Sequence, residues 1–516
     1  MIRKLQISLS PEQAADETVV RKKSYMSAGI DSNEVASIRI IRKSIDARKK
    51  DIKVNLSIEI YTQDEETKQL IRPFNPKNVS NSREVIIVGA GPAGLFAALQ
   101  LIESGLRPVI LERGKDVSSR KVDIARISRN HIVDQDSNYC FGEGGAGTFS
   151  DGKLYTRSKK RGDNVRVLEL LCLHGADEKI MFEAHPHLGT DRLPGIVSKI
   201  RKSITDAGGV LLFGKKVDDF IVNSGKISGV VVNGNEIYNS EFIILATGHS
   251  ARDIYQVCTK RGVELQSKSF AMGVRVEHPQ ELIDKIQYHG LSRGKYLPPA
   301  EYNLVRQVEG RGVYSFCMCP GGFIVPAATS QEEVVVNGMS PSGRNSPYAN
   351  SGIVVEIRPE DYIEYGNDPL AGLKFQEQLE QDAWIHGGRR QSAPAQRLTD
   401  FVTNRSSGSL PKVSYFPGVT PSQMNEWLPQ QLSDRLREGF RKFGLIMKGF
   451  LTNEAVILGV ESRTSSPVRI PRDPENLENV SVKNLYPCGE GSGYAGGIVS
   501  SAIDGIRAAE AIIRKQ

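Results

Sequence analysis

Three observations in this 516-residue chain predict an α/β fold, with a parallel sheet at its centre and further domains attached. An apolar run at 84–88 leads into a glycine-rich turn, a helical stretch and a second apolar run. A similar series of apolar run, glycine-rich turn and helical stretch begins near residue 485. Short, continuous apolar runs beside helices are typical of parallel strands that are buried on both faces. The length exceeds what one hydrophobic core holds, which predicts roughly two to four domains.

The turn after the first strand has the sequence GAGPAG and matches the pattern G-x-G-x-x-G. In this pattern the first glycine permits a tight turn, the second lets a pyrophosphate approach, and the third lets the helix pack on the sheet. The next apolar run ends in an acid, near the separation of ~20 residues at which a carboxylate binds ribose hydroxyls. The segment therefore predicts a Rossmann-like dinucleotide site. Its predicted contacts are Gly89, Gly91, Pro92, Ala93, Gly94 and Glu112.

The segment NLYPCGEGSGYAGGIVSSAIDGIRAAEAIIRK, at 484–515, predicts a second cofactor contact. Its short strand ends in a glycine-rich turn, and the helix that follows has an apolar side. A helix N-terminus that points at a cofactor stabilises negative charge there, such as that of a reduced flavin ring. The predicted contacts are Gly489, Glu490, Gly496, Gly497 and Ile498.

Cofactor segments at both ends of a long chain resemble the glutathione-reductase-like class of FAD proteins. The stretch FIILATG at 242–248 resembles the strand and turn that close the FAD domain of that class, and FGEGGAGTFSDGK at 141–153 resembles its loop along the pyrophosphate and the flavin. A dehydrogenase that uses NAD alone needs no second glycine-rich helix start, so the pattern favours FAD. The resemblance implies further contacts from Arg113, Arg120, Lys121, Gly144, Gly145, Ala146, Gly147, Thr247, Gly248 and, through its backbone at the adenine, Val217.

Longer phrases narrow the resemblance to one family. They are GEGGAGTFSDGKL, ATGHSARDIY, FAMGVRVEHP, FCMCPGG and ESRTSSPVRIP, between residues 142 and 471. Together they resemble a broadly distributed bacterial family of uncharacterised FAD-dependent dehydrogenases, described as NAD(P)/FAD-dependent oxidoreductases. The likeness covers about residues 80–516, and the small N-terminal domain also resembles that of the family. It implies a cofactor and a fold, and it leaves the substrate open.

The sequence predicts four segments. Residues 1–78 form a small α+β domain with a linker rich in Pro, Asn and Ser, and 82–260 form the first part of the FAD-binding domain. Residues 261–449 form an inserted, mixed α+β substrate domain, and 450–516 complete the FAD-binding domain. The FAD-binding domain is predicted to be a three-layer sandwich around its parallel sheet. The N-terminal domain is predicted to have its own core and to be removable without loss of the cofactor.

The composition is that of an ordinary soluble protein, with 39% hydrophobic and 25% charged residues. No apolar run reaches the ~18 residues of a membrane span, and the first residues lack the apolar core of a signal peptide. Six scattered cysteines argue against a disulfide framework and favour the reducing cytoplasm. The sequence leaves the oligomeric state open.

Basic residues cluster near the start of the chain, at 21–23, 42–43 and 48–50, and the whole chain has a modest net charge of +7. A solvated face is the favoured interpretation, and an anionic partner such as RNA is the alternative. Tyr25 and Tyr61 are the only aromatic residues of this region, so no stacking platform accompanies the charges. A nucleic-acid partner is therefore not favoured.

Cys317 and Cys319, in FCMCPGG, offer a route for electrons to and from a flavin. The sequence disfavours this role, because the pair lies in the inserted domain and its neighbours Phe316 and Met318 suit buried, inert thiols. In an extended strand the two α-carbons would also lie ~6.6 Å apart, near the limit for an unstrained disulfide. No second pair of Cys or His residues at ligand spacing is present, so no metal site is predicted.

Three further side chains are candidates for the chemistry. His249 follows the ATG turn, where it is either a proton donor or a partner of the backbone. Arg275 shares one face of a strand with Glu277, either as a structural ion pair or as a clamp for an anionic substrate. Arg463 precedes the second cofactor segment and is predicted to face the flavin, as in related two-domain flavoproteins.

The sequence therefore predicts an FAD-dependent oxidoreductase that transfers a hydride between its flavin and a small organic molecule. Because one complete nucleotide-binding unit is present, NAD(P)H is expected as a transient electron donor and not as a resident cofactor. Two alternatives stay open: an RNA-modifying flavoprotein that uses the basic N-terminal domain, and a flavin-binding sensor without turnover.

Overall fold

The computed structural model describes residues 2–62, 70–155, 162–290 and 292–516. The remaining residues fall within the predicted N-terminal, FAD-binding and inserted domains and lie outside the described part of the chain. All the predicted site residues are described.

The N-terminal domain is a three-stranded antiparallel sheet with two helices packed against it. The sequence predicts one helix over 11–27, but the structure has two, because Asp16 accepts hydrogen bonds from the N–H groups of Thr18 and Val19 and so caps a new helix. Apolar residues from the strands and from the helices form a core within the domain. The elements are β1 (Arg3–Leu9), α1 (Pro11–Ala15), α2 (Glu17–Ala28), β2 (Val35–Asp46) and β3 (Lys53–Thr62), in the sheet order β1-β3-β2.

The N-terminal domain is also joined to its neighbours. In a parallel bridge between β2 and Glu183, the Lys43 N–H donates to the Phe182 carbonyl at 2.8 Å. Ile52, in the β2–β3 turn, is 6% exposed and belongs to the core of the inserted domain. Val79 of the linker is fully buried. Removing this domain therefore uncovers apolar surface, and the linker belongs to the packed structure.

The first part of the FAD-binding domain alternates strands and helices, as a Rossmann-like fold requires. Its elements are β4 (Glu84–Val88), α3 (Pro92–Ser104), β5 (Arg107–Leu111), α4 (Val117–Asn130), α5 (Asn164–Leu173), α6 (Leu193–Asp206), β6 (Val210–Leu212), β7 (Val217–Asn223), β8 (Lys226–Val232), β9 (Glu236–Asn239), β10 (Ile243–Leu245) and α7 (Arg252–Lys260).

The inserted domain follows, and the chain then returns to the FAD-binding domain. The inserted elements are β11 (Gln266–Ser267), β12 (Phe270–Pro279), α8 (Gln280–Gln287), β13 (Val305–Val308), β14 (Arg311–Cys319), β15 (Phe323–Pro326), β16 (Val336–Met339), β17 (Tyr348–Ile357), α9 (Ala371–His386), β18 (Ala393–Arg397), α10 (Leu398–Thr403), β19 (Val419–Pro421), α11 (Gln430–Ile446) and β20 (Val456–Glu461). The returning elements are β21 (Val468–Arg469), β22 (Leu485–Pro487) and α12 (Ile498–Lys515).

A five-stranded parallel sheet, in the order β22-β10-β4-β5-β6, is the centre of the FAD-binding domain. Because side chains alternate along a strand, Val85 and Ile87 of β4 enter a core with α3, α5, α6 and α12. Ile86 and Val88 enter the opposite core, with α7 and the sheet β7-β8-β9. Helices, parallel sheet and antiparallel sheet are the three predicted layers, so the predicted fold class is confirmed.

The inserted domain is built on a seven-stranded sheet in the order β13-β14-β17-β12-β20-β18-β19. One face packs on α9 and α11 through apolar side chains, and the other carries buried polar residues. β20 lies between β12 and β18, so the inserted domain extends past the predicted boundary at 449. The buried run VILGVE suits either sheet, and only long-range pairing decides which one it joins.

Candidate functional site

The turn after β4 makes backbone contact with the glycine-rich loop 144–147, and the two together are called the cradle below. Gly89 has a φ of 102°, which lets the chain reverse into α3, and Gly91 is the N-cap of that helix. A β-carbon added to Gly145 would lie 3.1 Å from the α-carbon of Gly91, so a side chain there would press on the turn. Both predicted phosphate segments therefore line one space.

The N-termini of α3 and α12 meet at the cradle. A β-carbon added to Gly147 would lie 3.3 Å from side-chain atoms of both Pro92, which begins α3, and Ile498, which begins α12. Gly496 and Gly497 have open space where their side chains would be. Unpaired N–H groups and the positive ends of two helix dipoles stabilise an anion held between them. The cradle therefore fits the diphosphate of a dinucleotide.

Close packing of the two helices requires small residues at other positions of the two motifs. A β-carbon on Gly94 would lie 2.0 Å from the Gly89 carbonyl oxygen, and one on Gly505 would lie 1.9 Å from the Ala93 carbonyl oxygen. These positions bring α3 against the sheet and α12 against α3. Ala146, at the outside of the cradle loop, is exposed.

Glu112, at the end of β5, is 4% exposed and is hydrogen-bonded to three separate backbone segments. Its carboxylate accepts hydrogen bonds from the N–H groups of Ala90 at 2.8 Å, Gly114 at 2.9 Å and Gly142 at 3.0 Å. A carboxylate has about four acceptor positions, so about one is left for a ribose hydroxyl. The residue predicted to bind the ribose therefore also fixes the shape of the cradle.

Arg120 holds the backbone of the segment that leads into the cradle loop. Its guanidinium is fully buried and donates four hydrogen bonds, all to backbone carbonyls. The acceptors are the carbonyl oxygens of Asn138, Tyr139, Glu143 and Gly145, at 2.7–2.8 Å. These contacts hold the loop that leads into 144–147, so any effect of Arg120 on the cofactor is indirect.

The other predicted contacts of the adenosine side differ in exposure. Arg113 donates to both carboxylate oxygens of Asp253 at 2.9 and 2.7 Å and lies 4.5 Å above the Phe141 ring. Lys121 is exposed on α4. Val217 begins β7 and is buried, so only its backbone is available to a ligand. Nothing in these contacts requires Lys121 for the cofactor.

His249 and Glu490 bring the turn after β10 against the turn after β22. The His249 Nδ1 lies 3.2 Å from the Glu490 Oε2. The His249 Nε2 is buried and has no hydrogen-bond partner in the described part of the chain. Gly248 has open space on its side-chain side, next to the partly buried Thr247. A buried, unpaired imidazole nitrogen beside open space fits a ligand at this edge, and the whole arrangement fits FAD.

Arg275 is committed to a buried ion pair. Its guanidinium is 0% exposed and donates to both oxygens of Glu461, at 2.7 and 3.0 Å, and to the Asn350 Oδ1 at 2.6 Å. Glu277 lies on the same face but bonds to Ser414 instead, and burial raises the pKa of Glu277 to about 7. Of the two predicted roles for Arg275, these contacts support the structural ion pair and leave no free guanidinium for a substrate.

Arg463 belongs to a buried cluster of four charges that joins the FAD-binding and inserted domains. It donates to Glu380 at 2.8 and 3.0 Å and to Glu333 at 2.9 Å. Arg252, at the start of α7, reaches the same two carboxylates at 2.8 and 2.9 Å. Burial alone would raise the pKa of Glu380, but the two guanidinium groups outweigh it and lower that pKa to about 2. No local pattern predicts this charge tetrad, because its acids lie in the inserted domain.

Cys317 and Cys319 lie at an irregularity of β14. The pairing with β17 shifts between Phe316 and Cys319, and Cys317 has a left-handed φ of 46°. Lys153, the last residue of the glycine-rich phrase, donates to the Met318 carbonyl. The loop that lines the cradle therefore continues to the polar face of the inserted sheet. Lys153 is a residue that sequence reasoning missed, since nothing local indicates this distant contact.

Neither metal ligands nor a membrane span is found in the described part of the chain. Its His, Cys, Asp and Glu side chains form no group of three or more suited to a metal ion. His185 and His187, which flank Pro186, bond to the Glu301 carboxylate at 2.6 Å and to the Ser342 carbonyl at 3.3 Å, respectively. No described helix is long and apolar enough to cross a membrane.

Sequence comparisons agree with the cradle. Residues 269–464 match a family described as "FAD-dependent protein, C-terminal domain-like", and residues 82–137 match an "FAD binding domain". Residues 1–61 match a domain of unknown function. The first of these matches ends near the end of β20, in agreement with the observed limit of the inserted domain.

The matching solved structures are distant. L-proline dehydrogenase from P. horikoshii has 12% identity and a TM-score of 0.35, over 86% of this chain and 95% of that one. The flavin-dependent brominase Bmp2 has 14% identity and a TM-score of 0.37, over 84% and 79% of the two chains.

Similar sequences include one that spans nearly the whole chain. Thiamine thiazole synthase of Aeropyrum pernix is 27% identical over 215 residues, 39% of this chain and 66% of that protein. A protein of Clostridium beijerinckii, described as an uncharacterized protein, is 41% identical over 521 residues, 97% of this chain and 96% of that protein. With this relative and with the matched FAD-dependent domains, the chain belongs to the family of FAD-dependent proteins that the Clostridium sequence represents.

Proposed function

We propose that this FAD-dependent protein is an oxidoreductase that transfers a hydride between its flavin and a small organic substrate. The observation that carries the proposal is the cradle, where two helix N-termini meet beside a loop that continues to the polar face of the inserted sheet. Bound FAD supplies hydride transfer, and the protein supplies position, electrostatics and exclusion of water.

His249 is the side chain best placed to move a proton. The Glu490 carboxylate lies 3.2 Å from Nδ1 and so holds the imidazole ring at this edge of the cradle. The Nε2 nitrogen is buried and unpaired in the described structure, so it is available to hold a proton next to a ligand. Arg275 and Arg463 contribute differently, because both hold strands and helices in place through buried carboxylates.

The number of nucleotide sites bears on whether NAD(P)H is resident or transient. The described residues form one parallel sheet with a glycine-rich turn at its edge, and FAD takes that site. NAD(P)H is therefore proposed as a visiting donor that binds over the cradle and leaves after reduction. All six cysteines are free thiols, which supports a reducing, cytoplasmic location.

An RNA-modifying enzyme has less support. Several basic residues of the N-terminal domain are paired within it: Lys4 with Glu59 at 3.0 Å, Arg48 with Asp46 at 2.6 Å and Lys53 with Asp51 at 2.8 Å. Part of its positive charge is therefore compensated locally. Nucleic acid that stays bound to the purified protein after a high-salt wash would favour this alternative.

Anaerobic titration tests the proposal. The yellow protein is mixed with NADH or NADPH, loss of the flavin absorbance is followed, and small organic oxidants are then screened for its recovery. Either NADH or NADPH should bleach the flavin, at a rate no slower than substrate turnover. Bleaching by dithionite alone, with neither nicotinamide active, would contradict the assignment of the donor, and an absence of any effective oxidant would favour a sensor.

A variant of His249 tests the proton role separately. His249→Gln should keep FAD but slow substrate turnover by about 100-fold or more, which is typical of a lost proton-transfer group. The exposed His386 serves as the control, and His386→Gln should leave turnover unchanged. If His249→Gln turns over like the parent at every pH, the nitrogen has a structural role only.

A further inference from the structure

The local geometry of β14 differs from the extended strand expected from its sequence. Phe316 pairs with Gly352 and Cys319 with Asn350, so β14 has one more residue than β17 between these pairs. This is a β-bulge, and the left-handed φ of Cys317 is part of it. Bulges redirect side chains, so the spacing that argued against a dithiol does not describe this segment.

The two cysteines are neighbours and unequal. The Cys319 thiol donates to the Cys317 carbonyl oxygen, with 3.2 Å between sulfur and oxygen, so it lies against the Cys317 backbone. Cys319 is fully buried, whereas Cys317 is partly exposed. Cys317 is therefore the more accessible of the two residues. This is the arrangement of an attacking thiol and a resolving thiol.

Positive charge surrounds Cys317. Lys153 bonds to the Met318 carbonyl, and the Arg275 Nη1 lies 3.4 Å from the Cys317 carbonyl. The hydrogen bond from Cys319, followed by the charges of Lys153 and Arg275, outweighs burial and lowers the pKa of Cys317 to about 5. By contrast, burial raises the pKa of Cys258 to about 12.

The charged groups near Cys317 come from four parts of the chain. Asp151 and Lys153 belong to the segment that follows the cradle, with 3.8 Å between the Asp151 Oδ2 and the Lys153 Nζ. Arg344 lies 3.4 Å from the same Asp151 oxygen. The Glu461 carboxylate is neutralised by Arg275. Two cations, Lys153 and Arg344, therefore share one carboxylate, which leaves a positive charge to stabilise a thiolate.

We propose that Cys317 and Cys319 form a redox-active dithiol, in which Cys317 is the attacking thiolate and Cys319 the resolving thiol, with small-molecule disulfides as oxidants. This site is distinct from the hydride chemistry proposed above. Its chemistry uses only the two thiols and the disulfide, so it can be tested without flavin turnover.

The reaction has two exchanges. The Cys317 thiolate attacks one sulfur of a disulfide R–S–S–R, a bond forms between Cys317 and R–S, and one R–S⁻ leaves. Cys319 then gives up its proton and attacks the Cys317 sulfur, the second R–S⁻ leaves, and the protein disulfide forms. Two protein thiols are oxidised by two electrons, and one disulfide is reduced to two thiols.

Product stoichiometry tests the proposal. The reduced FAD-bound protein, with Cys140 and Cys172 replaced by Ser because both are partly exposed, is mixed with one equivalent of dithiodipyridine. The dithiol should release two equivalents of thiopyridone and retain no adduct by mass spectrometry. Cys319→Ser should release one equivalent and keep a mixed disulfide on Cys317. A stable adduct on Cys317 in the parent would overturn the resolving role.

Variants of Cys317 and Lys153 test the thiolate. Cys317→Ser should lose the rapid release of thiopyridone, and Cys317→Gly, which suits the left-handed φ, should do the same if the serine variant folds poorly. Alkylation of Cys317 by iodoacetamide should show a midpoint near pH 5, and Lys153→Met should move it towards the ~8.5 of a free thiol. The surface change Lys285→Met is the control. A parent midpoint near ~8.5 would overturn the proposal.

Discussion

Replacing Glu112 by alanine tests whether this carboxylate shapes the cradle or only binds ribose. In the structure it accepts three backbone hydrogen bonds, from Ala90, Gly114 and Gly142, in a site that is 4% exposed. If these contacts matter, the variant loses stability before any cofactor is added. If the residue only binds ribose, the variant loses FAD affinity and nothing else.

The magnitude follows from the three N–H groups that lose their acceptor. A buried donor left unpaired costs ~1–3 kcal/mol, so three donors give about 3–9 kcal/mol. Water that enters the space of the missing carboxyl group satisfies part of this demand, which puts the expected loss near 3 kcal/mol. Loss of a ribose contact adds about 1.5–3 kcal/mol to the free energy of FAD binding.

The assay compares unfolding with and without FAD. Circular dichroism is the appropriate signal, because the two tryptophans of the chain, Trp384 and Trp427, lie in the inserted domain and report little on the cradle. The apo form of Glu112→Ala should unfold at lower temperature than the apo parent. The control is Glu84→Ala, which removes an exposed partner of Arg107 and should cost less than about 1 kcal/mol.

Unchanged stability of the apo variant would exclude a structural role for the Glu112 carboxylate. If apo Glu112→Ala unfolds at the same temperature as the apo parent while its FAD affinity falls, the backbone contacts contribute nothing to stability. The carboxylate then acts on ribose alone. If neither quantity changes, both roles are wrong.

Four other outcomes are expected. Heat or acid should release FAD, and release of stoichiometric FMN would contradict the two-segment cradle. Deletion of residues 1–78 is predicted to leave a yellow protein, but loss of the buried Ile52 should lower its stability, as measured by the temperature of FAD release. A cut near residue 70 should cost less, because it keeps the chain that leads to the fully buried Val79. Cys317→Ser with Cys319→Ser should keep FAD and be reduced at the parent rate by the same donor, and failure of flavin reduction would place the thiols before the flavin. Glu277→Gln should remove a pH dependence: burial raises the pKa of Glu277 to about 7, the unfolded chain has ~4.3, and the parent should therefore lose on the order of 3 kcal/mol as pH rises between these values. Equal slopes of unfolding temperature against pH in variant and parent would contradict that assignment.

Local patterns were sufficient for the parallel sheet. The strand at 84–88, its glycine turn and the helix after it are encoded in one continuous segment, and the same holds for β22 and α12. Turn glycines have steric reasons that sequence reasoning can state, as at Gly89. The fold class of the FAD-binding domain was therefore predictable in physical terms.

The partners of buried charges were not predictable. Arg275 pairs with Glu461 because β12 lies between β17 and β20, and strand order in a sheet is set by the whole domain. Sequence alternation correctly puts Arg275 and Glu277 on one face but does not show which residues face them. The bulge at Cys317 has the same origin, since it depends on how β14 meets β17.

The charge tetrad of Arg252, Glu333, Glu380 and Arg463 has a mechanical consequence. It ties α7, directly after the turn that carries His249, to α9 of the inserted domain. Swinging one domain away from the other would break these ion pairs, and water would have to solvate the separated charges. The tetrad therefore opposes a hinge motion between α7 and α9. Entry and exit of reactants through movements of loops and side chains leave all four pairs intact.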